Sequence, residues 1–261
     1  MIIAHRGASS VAPENTLEAF ARALEDGADG IEFDVRLASD SVPMVIHDGS
    51  LRRTAGQKGA VADLTSKELT TIDVGSWFNR RHRRFAKLEY GRERLPTLEQ
   101  VLSLIRAASK NDFVAYVELK GDIATKFSGE LPVSVCELIA KYRLTEQVVI
   151  VSFDLPTLTR VKMLNPAIRT GALFAPRAKP TARPRKRRII DAAVACGAAE
   201  ILLHRLMARR KLVELARAAG LRAVVWTVDD ARSIARAERL GVHALITNQP
   251  AKLRSRQRLN Q

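Results

Sequence analysis

The stretch GIEFDVRL, residues 30–37, decides the fold of this chain. Its apolar residues predict a strand that is buried on both faces, which is typical of a parallel sheet covered by helices. Two carboxylates interrupt it, Glu32 and Asp34, two positions apart. Alternate side chains of a strand point to the same side, so both carboxylates face one side of this strand.

Short apolar runs of the same kind recur along the whole chain. They are Ile2–Ala4, Gly30–Leu37, Val42–Ile46, Phe113–Leu119, Val148–Phe153, Thr170–Phe174, Ile201–Leu203, Ala223–Val228 and Ala244–Thr247. Between them lie segments with helical periodicity, many of them bounded by Pro or Gly: Glu14–Asp26, Thr97–Ala108, Leu155–Leu164, Ala208–Ala219 and Asp229–Leu240. This alternation predicts an α/β fold built from βα units.

The length of 261 residues matches a (β/α)8 TIM barrel, which commonly has about 250 residues in one domain. We therefore predict a single domain, 1–261. The runs at 30–37 and 42–46 are joined by four residues, whereas a parallel neighbour needs about a dozen. One of the two is therefore a strand continuation or an excursion at the rim. The polar stretch 49–96, with a short helix near Thr65–Thr71, is predicted to be an insertion over the barrel mouth.

Polar residues follow several of these strands at their carboxyl ends, where barrels of this type place their active sites. The early ones are His5, Arg6, Glu32, Asp34, His47, Asp48, Glu118 and Lys120, and the later ones are Ser152, His204, Trp226, Thr247 and Asn248. We expect the early group to share one edge of the barrel.

Three of these residues are carboxylates, Glu32, Asp34 and Glu118. Buried together, they need protonation, cations or a metal to relieve their repulsion. Ligation by oxygen alone suits Mg²⁺, Ca²⁺ or Mn²⁺ rather than Zn²⁺. A structural network with Arg and Lys is the alternative. Arg6 and Lys120 also provide two cations for a phosphate group.

Two histidines at strand ends, His5 and His47, can supply an acid and a base near neutral pH. His204 stays open at this point, because the residues that follow it carry no evident chemistry. His82 and His243 are expected to be surface or structural residues.

Seven segments and the closing 247–250 motif together resemble the glycerophosphodiester phosphodiesterase family in order and spacing, from residue 2 to about residue 250. The segments are His5-Arg6-Gly7, Pro13-Glu14-Asn15-Thr16, Glu32-Phe33-Asp34-Val35, His47-Asp48, Leu95-Pro96-Thr97-Leu98, Glu118-Leu119-Lys120, Trp226-Thr227-Val228 and Thr247-Asn248-Gln249-Pro250. One departure is Asn248, where the family often has Asp.

The resemblance implies a (β/α)8 barrel and metal-dependent hydrolysis of glycerophosphodiesters to sn-glycerol 3-phosphate and an alcohol. It implies that His5 and His47 are the acid and base, that Glu32, Asp34 and Glu118 bind Mg²⁺, Ca²⁺ or Mn²⁺, that Arg6 and Lys120 contact the phosphate, and that Trp226 forms an apolar wall beside the substrate. Which histidine acts first as base stays open. So does the choice between a cyclic phosphate intermediate and direct attack by water.

Other functions compete with this one. A lysophospholipase D-type activity would use the same site, with Trp77-Phe78 as the only hint of an apolar rim. A polyanion-binding barrel without strong catalysis is suggested by charge alone, and the motifs of an inositol-phospholipid phospholipase C differ.

The formal net charge is +15, from 43 basic and 28 acidic residues. Such a charge favours phosphate-bearing substrates and permits a weak attraction to anionic membrane surfaces. We expect no specific nucleic-acid partner, and the oligomeric state stays open. The basic segment Arg177–Arg188 is expected to be a loop at the mouth, either merely solvated or steering anions inward.

The start of the chain enters the first strand at once and lacks the apolar run of a secretory signal, so we expect a cytoplasmic protein. Cys136 and Cys196 lie in apolar helical contexts and are expected to be buried free thiols.

Overall fold

The computed structural model describes residues 1–108, 112–120, 129–176 and 186–259. The strands are β1 (Ile2–His5), β2 (Gly30–Leu37), β3 (Pro43–Val45), β4 (Val114–Leu119), β5 (Val148–Ser152), β6 (Arg169–Phe174), β7 (Glu200–His204), β8 (Arg222–Trp226) and β9 (Ala244–Thr247). All but β3 pair in parallel around a ring that closes between β1 and β2. The predicted TIM barrel is confirmed.

The ninth strand, β3, pairs antiparallel with β2 outside the ring. The run at 42–46 is therefore an excursion at the rim, one of the two alternatives that its short connection allowed. Its position carries the chain from the end of β2 directly to His47, so this histidine stays beside the barrel mouth.

The helices are α1 (Leu17–Glu25), α2 (Arg52–Ala55), α3 (Ser66–Leu69), α4 (Ser76–Arg81), α5 (Leu98–Ala108), α6 (Glu130–Lys141), α7 (Leu155–Leu164), α8 (Lys186–Ala195), α9 (Arg210–Ala218), α10 (Ala231–Arg239) and α11 (Pro250–Leu259). The predicted helices are present; Leu155–Leu164 has the predicted bounds, and the others have shifted ends. The helix predicted from Glu14 begins only at Leu17, because Asn15 has a φ of 57° and Thr16 caps the first turn. The helices α2, α4, α6 and α11 were not predicted.

The barrel interior is filled by alternate residues of the strands, as the two-residue period of a strand requires. The residues of this inner layer are Ile3, Val114, Tyr116, Val149, Val151, Leu173, Leu202, Val224, Ala244 and Ile246. Continuing the same alternation toward the carboxyl ends places His5, Glu118 and Trp226 on the inward side at the mouth.

The insertion packs as a small cluster of its own against the mouth. Its apolar residues surround Met44 and Leu51, and a second group joins Phe78 and Tyr90 to Ala12. Tyr90 donates a hydrogen bond from Oη to the carbonyl oxygen of Val11 at 2.9 Å. The insertion is therefore fastened to the loop between β1 and α1, directly beside the strand end that carries His5.

Several expectations fall on other parts of the chain. Cys136 and Cys196 are buried free thiols, as predicted. Of the basic segment Arg177–Arg188, residues 177–185 lie outside the described part of the chain. The last three form the first turn of α8, in agreement with a sequence pattern that starts the helix before Gly197 somewhere within this basic stretch. None of the helices among the described residues is both long and apolar enough to span a bilayer.

Candidate active site

The carboxylates of Glu32, Asp34 and Glu118 converge at the mouth. Each offers an oxygen within 4.8 Å of the others, and the three residues are 4%, 1% and 7% exposed. They meet because β2 and β4 are parallel neighbours, with Asp34 in register with Glu118. The structure thus brings together the three residues that were predicted as metal ligands.

Two cations lie directly against this acidic cluster. Lys120 Nζ is 2.6 Å from Glu118 Oε1 and 2.9 Å from Asp34 Oδ1. Arg6 Nε is 3.2 Å from Asp34 Oδ2. The two residues predicted to contact the phosphate therefore lie on either side of the carboxylates, after β1 and after β4, the two parallel neighbours of β2.

The pKa values show that the two cations stabilise the ionised form of one carboxyl group much more than those of the other two. Burial, reinforced by the charges of Asp34 and Glu118, raises the pKa of Glu32 well above its ordinary value. Burial and then Asp34 raise the pKa of Glu118 to about 7. Burial acts in the same direction on Asp34, but Arg6 and Lys120 outweigh it and hold the pKa of Asp34 below its ordinary value.

The cluster is therefore short of positive charge, and its donors are all carboxylate oxygens. Both properties fit a hard divalent cation such as Mg²⁺, Ca²⁺ or Mn²⁺, which would favour the ionised forms of Glu32 and Glu118. These two residues and Asp34 are the groups that can hold it.

The backbone at Arg6 is held in an uncommon conformation that aims its side chain inward. Its φ is 56°, and its amide N donates to the carbonyl oxygen of Glu32 at 2.7 Å. Gly7, which follows with a φ of 81°, has no room for a side chain, since a Cβ there would lie 2.6 Å from the backbone of Ala19. Only glycine fits this approach of the loop to α1.

His5 is oriented by Asn248 at the end of β9. His5 Nδ1 lies 2.7 Å from Asn248 Oδ1, and Asn248 Nδ2 donates to Asp229 Oδ2 at 2.6 Å. A carboxylate only accepts, so the contact with Asp229 fixes which end of the amide faces His5. The amide oxygen then requires a proton on His5 Nδ1 and leaves Nε2 free, 3.8 Å from Glu32 Oε2.

His47 has a different partner at the same ring position. Its Nδ1 lies 2.6 Å from Asp48 Oδ1, a carboxylate. Burial is the largest cause that lowers the pKa of each histidine, and for His5 burial and Arg6 lower the pKa to about 4. Both rings border the acidic cluster, so the structure also brings together the two residues predicted as acid and base.

Comparisons with known proteins agree with this geometry. A sequence model of the Glycerophosphoryl diester phosphodiesterase family matches residues 5–252. The chain belongs to this family. A glycerophosphodiester phosphodiesterase of Caldanaerobacter subterraneus subsp. tengcongensis is 33% identical over 265 residues, covering 97% of this chain and 96% of the relative.

Solved structures of the family share the fold over nearly the whole chain. A phosphodiesterase of Oleispira antarctica, solved in complex with the product sn-glycerol-3-phosphate, has a TM-score of 0.84 and 26% identity, covering 98% of this chain and 95% of that one. A glycerophosphodiester phosphodiesterase of Agrobacterium tumefaciens has a TM-score of 0.75 and 27% identity, with 96% of each chain covered.

The family motif at 13–16 has a clear structural use in this chain. Glu14 Oε1 accepts from Arg6 at 2.8 Å, and Asn15 Nδ2 donates to Asp34 Oδ2 at 2.9 Å. The loop after β1 thereby fixes the side chains of both Arg6 and Asp34 in the phosphodiesterase site. Neither contact was predicted from the sequence.

Arg53, on helix α2 of the insertion, was also missed. Its Nε donates to Asp48 Oδ2 at 2.6 Å, and its two terminal nitrogens donate to the Glu14 carboxylate at 2.8 Å. Through these partners it ties His47 to Arg6. No sequence signal distinguishes it among the many arginines, because its partners meet only in the folded barrel.

The other side of the mouth is aromatic. The Trp226 ring lies edge-to-face with Phe153 and His204, with centroid distances of 5.7 and 5.2 Å. His204, which the sequence left open, therefore belongs to this aromatic group. His82 stacks on Phe78 with a centroid distance of 4.5 Å, in agreement with a structural role.

Proposed function

We propose that this chain hydrolyses glycerophosphodiesters to sn-glycerol 3-phosphate and an alcohol with a bound divalent metal. The observation that carries the proposal is the buried triad of Glu32, Asp34 and Glu118, which is flanked by two histidines. The product seen in the Oleispira antarctica relative supports the substrate class. Mg²⁺ and Ca²⁺ are the ions that the oxygen donors favour, with Mn²⁺ as a further candidate.

Substrate binding is assigned to the two cations of the mouth. Arg6 and Lys120 would turn from the carboxylates toward the non-bridging oxygens of the phosphate. The bound metal would supply Lewis-acid stabilisation of the charge that develops there. Trp226 would provide an apolar wall along the organic part of the substrate.

The hydrogen bonds of the two imidazoles suggest a division of labour. Burial and Arg6 keep the pKa of His5 low, and its Nδ1–H donates to an amide oxygen, so the free Nε2 is suited to accept the proton of the nucleophile. The Asp48 carboxylate beside Nδ1 opposes the burial that lowers the pKa of His47, so of the two histidines His47 is the better suited to give a proton to the departing alcohol. We therefore assign the first base step to His5 and the first acid step to His47.

Two nucleophiles remain compatible with this assignment. The glycerol hydroxyl next to the phosphate can attack and give a cyclic phosphate, which water then opens with the histidines exchanging roles. Alternatively, water attacks directly. A diester that lacks this hydroxyl separates the two routes, because only direct attack would turn it over.

A coupled assay for glycerol 3-phosphate tests the function. The purified protein should release it from a panel of glycerophosphodiesters, and removal of divalent cations should abolish turnover. Glu118→Gln should lose most activity, whereas Glu137→Gln, an exposed control on α6, should not. Full turnover after exhaustive chelation would contradict the metal requirement.

A second candidate is a lysophospholipase D-type activity at the same site. Phe78, taken from the sequence as a hint of an apolar rim, is fully buried and belongs to the core of the insertion. The insertion instead exposes Phe85 and Leu88. A lysophospholipase D-type activity would release the head-group alcohol and leave a lysophosphatidic acid. Release of this alcohol from lysophospholipids, without glycerol 3-phosphate, therefore identifies the second substrate class.

A further inference from the structure

The segment RRHRRFAKL, residues 80–88, forms a surface on the insertion that the proposed chemistry does not use. We call it the basic-apolar loop. Its two large apolar side chains face solvent, with Phe85 40% exposed and Leu88 85% exposed. Its five cations are exposed as well, and no acidic residue interrupts them: Arg80, Arg81, Arg83, Arg84 and Lys87.

Contacts with the buried core of the insertion fix the conformation of the loop. The His82 ring stacks on the buried Phe78, and Phe78 in turn meets Tyr90 edge-to-face at 5.6 Å. The side chain of Asn79 bonds both the N–H and the carbonyl oxygen of Lys87, at 3.1 and 2.7 Å. The exposure of Phe85 and Leu88 is therefore a feature of an anchored loop.

The cations of the loop have little intramolecular use. Lys87 lies 3.8 Å from Glu18, and the Arg84 guanidinium lies over the Phe85 ring at 5.7 Å. Within the described ranges, no ion pair involves Arg80, Arg81 or Arg83. Cations that form no ion pair with the described residues are available to bind an anionic partner.

The loop also lies close to the mouth. Trp77 lies on helix α4, whose last two residues begin the loop. Its ring lies 5.8 Å from the guanidinium of Arg53, which donates hydrogen bonds to Asp48 and Glu14 of the site. Tyr90, just after the loop, is bonded to the β1–α1 loop. A partner held by the basic-apolar loop is thus held beside the active site.

We propose that the basic-apolar loop docks the protein on an anionic lipid bilayer. Cations attract the negatively charged headgroups, and apolar side chains beside them enter the boundary between headgroups and acyl chains. A nucleic acid or other polyanion would use the arginines but would gain nothing from Leu88. The combination of both chemistries in nine residues favours the bilayer. The inference concerns binding and stands apart from the proposed catalysis.

Co-sedimentation with vesicles tests the proposal. Vesicles of phosphatidylcholine alone are compared with vesicles containing 30 mol% phosphatidylglycerol. The wild type should bind only the anionic vesicles. Phe85→Ser with Leu88→Ser keeps every charge and should lower the partition constant at least roughly tenfold, because two apolar contacts are lost. Arg83→Gln with Arg84→Gln should lower it about 30-fold.

A matched control alters exposed residues elsewhere. Met163→Ser with Arg160→Gln changes one apolar and one basic residue on α7, where Met163 is 73% exposed, and should bind like the wild type. All variants should keep the wild-type unfolding temperature and the wild-type turnover of a water-soluble glycerophosphodiester. Lost vesicle binding with unchanged turnover therefore separates docking from catalysis.

Three outcomes would overturn the proposal. The first is that the wild type does not bind anionic vesicles. The second is that the Phe85/Leu88 variant binds them as tightly as the wild type, which would make the loop a surface for polyanions. The third is that the α7 control loses as much binding as the loop variants, which would make the attraction a property of the net charge.

Discussion

The side chain of Asn248 accepts a hydrogen bond from His5 across 243 residues of sequence, at 2.7 Å. This partner is a neutral amide, so it fixes the tautomer of the imidazole and favours the protonated form less than a carboxylate would, while burial and Arg6 lower the pKa of His5. With an amide rather than a carboxylate at position 248, burial and the charge of Arg6 prevail and hold the pKa of His5 at about 4.

Asn248→Asp should move the acidic limb of the pH profile of kcat/KM. A carboxylate next to Nδ1 favours imidazolium, so the pKa of His5 rises and the neutral base is present only at higher pH. The acidic limb should accordingly shift to higher pH. Ser9→Ala, which removes a second 2.9 Å contact with the Asn248 oxygen, is the control and should leave the limb in place. A limb unchanged in Asn248→Asp would remove His5 as the base.

His5→Ala and His47→Ala should each lower kcat by roughly 10²–10⁴-fold, the range for positioned proton transfer. His82→Ala is the matched control, because this ring stacks on Phe78 inside the insertion. Steady-state kinetics at the pH optimum measure the effect. If His47→Ala retains the kcat of the wild type, His47 has no part in proton transfer.

Metal binding should be visible without turnover. At a metal concentration about 100 times the dissociation constant, binding to the folded state adds about 2.7 kcal/mol of stability, which raises the unfolding temperature by roughly 5–10 °C. Calorimetry of the metal-free wild type with added Mg²⁺, Ca²⁺ or Mn²⁺ checks this. Glu32→Gln should lose most of the shift and Glu137→Gln should keep it. An equal shift in both variants would place the metal elsewhere.

The metal-free protein should become less stable as the pH rises through about 7. The folded state raises the pKa of Glu118 to about 7 and raises that of Glu32 well above its usual value, so it binds protons more tightly than the unfolded chain. This stabilisation is complete below the unfolded pKa of about 4.3 and is lost as the pH rises through the folded pKa. Unfolding temperatures between pH 5 and 8 measure it.

Glu118→Gln provides the control for this linkage. It removes one titrating group from the cluster, so the decline with pH should become shallower. Saturating metal should have a related effect in the wild type, because it favours the ionised carboxylates. A wild-type decline that neither change affects would assign the pH dependence to other groups.

Arg53→Met should lower kcat about 10- to 100-fold, the usual loss when an outer partner of a site residue is removed. The change frees Asp48 from its 2.6 Å bond and leaves Glu14 with Arg6 alone, so His47 and Arg6 both lose their support. Arg53→Lys should restore part of the loss, since a single ammonium can hold only some of these oxygens. The exposed Arg52→Met is the matched control on the same helix.

The sequence by itself determined the barrel and the residues at its mouth. Runs of apolar residues with alternating helices indicate parallel βα units, and Glu32, Asp34 and Glu118 follow from the two-residue period of strands whose carboxyl ends share one edge. The register of β2 with β4 then makes the three carboxylates converge. The strand and helix patterns are local, so a linear pattern is sufficient to predict them, whereas the register belongs to the folded sheet.

Only the tertiary structure decided which side chains orient the site. Asn248 reaches His5 because β9 pairs with β1 as the barrel closes, and Arg53 reaches Glu14 because the insertion folds back over the β1–α1 loop. The exposure of Phe85 and Leu88 likewise depends on how Phe78 and Tyr90 anchor the basic-apolar loop. Each contact joins residues that are distant in sequence through loops without periodicity, so the chain carries no linear signal for it.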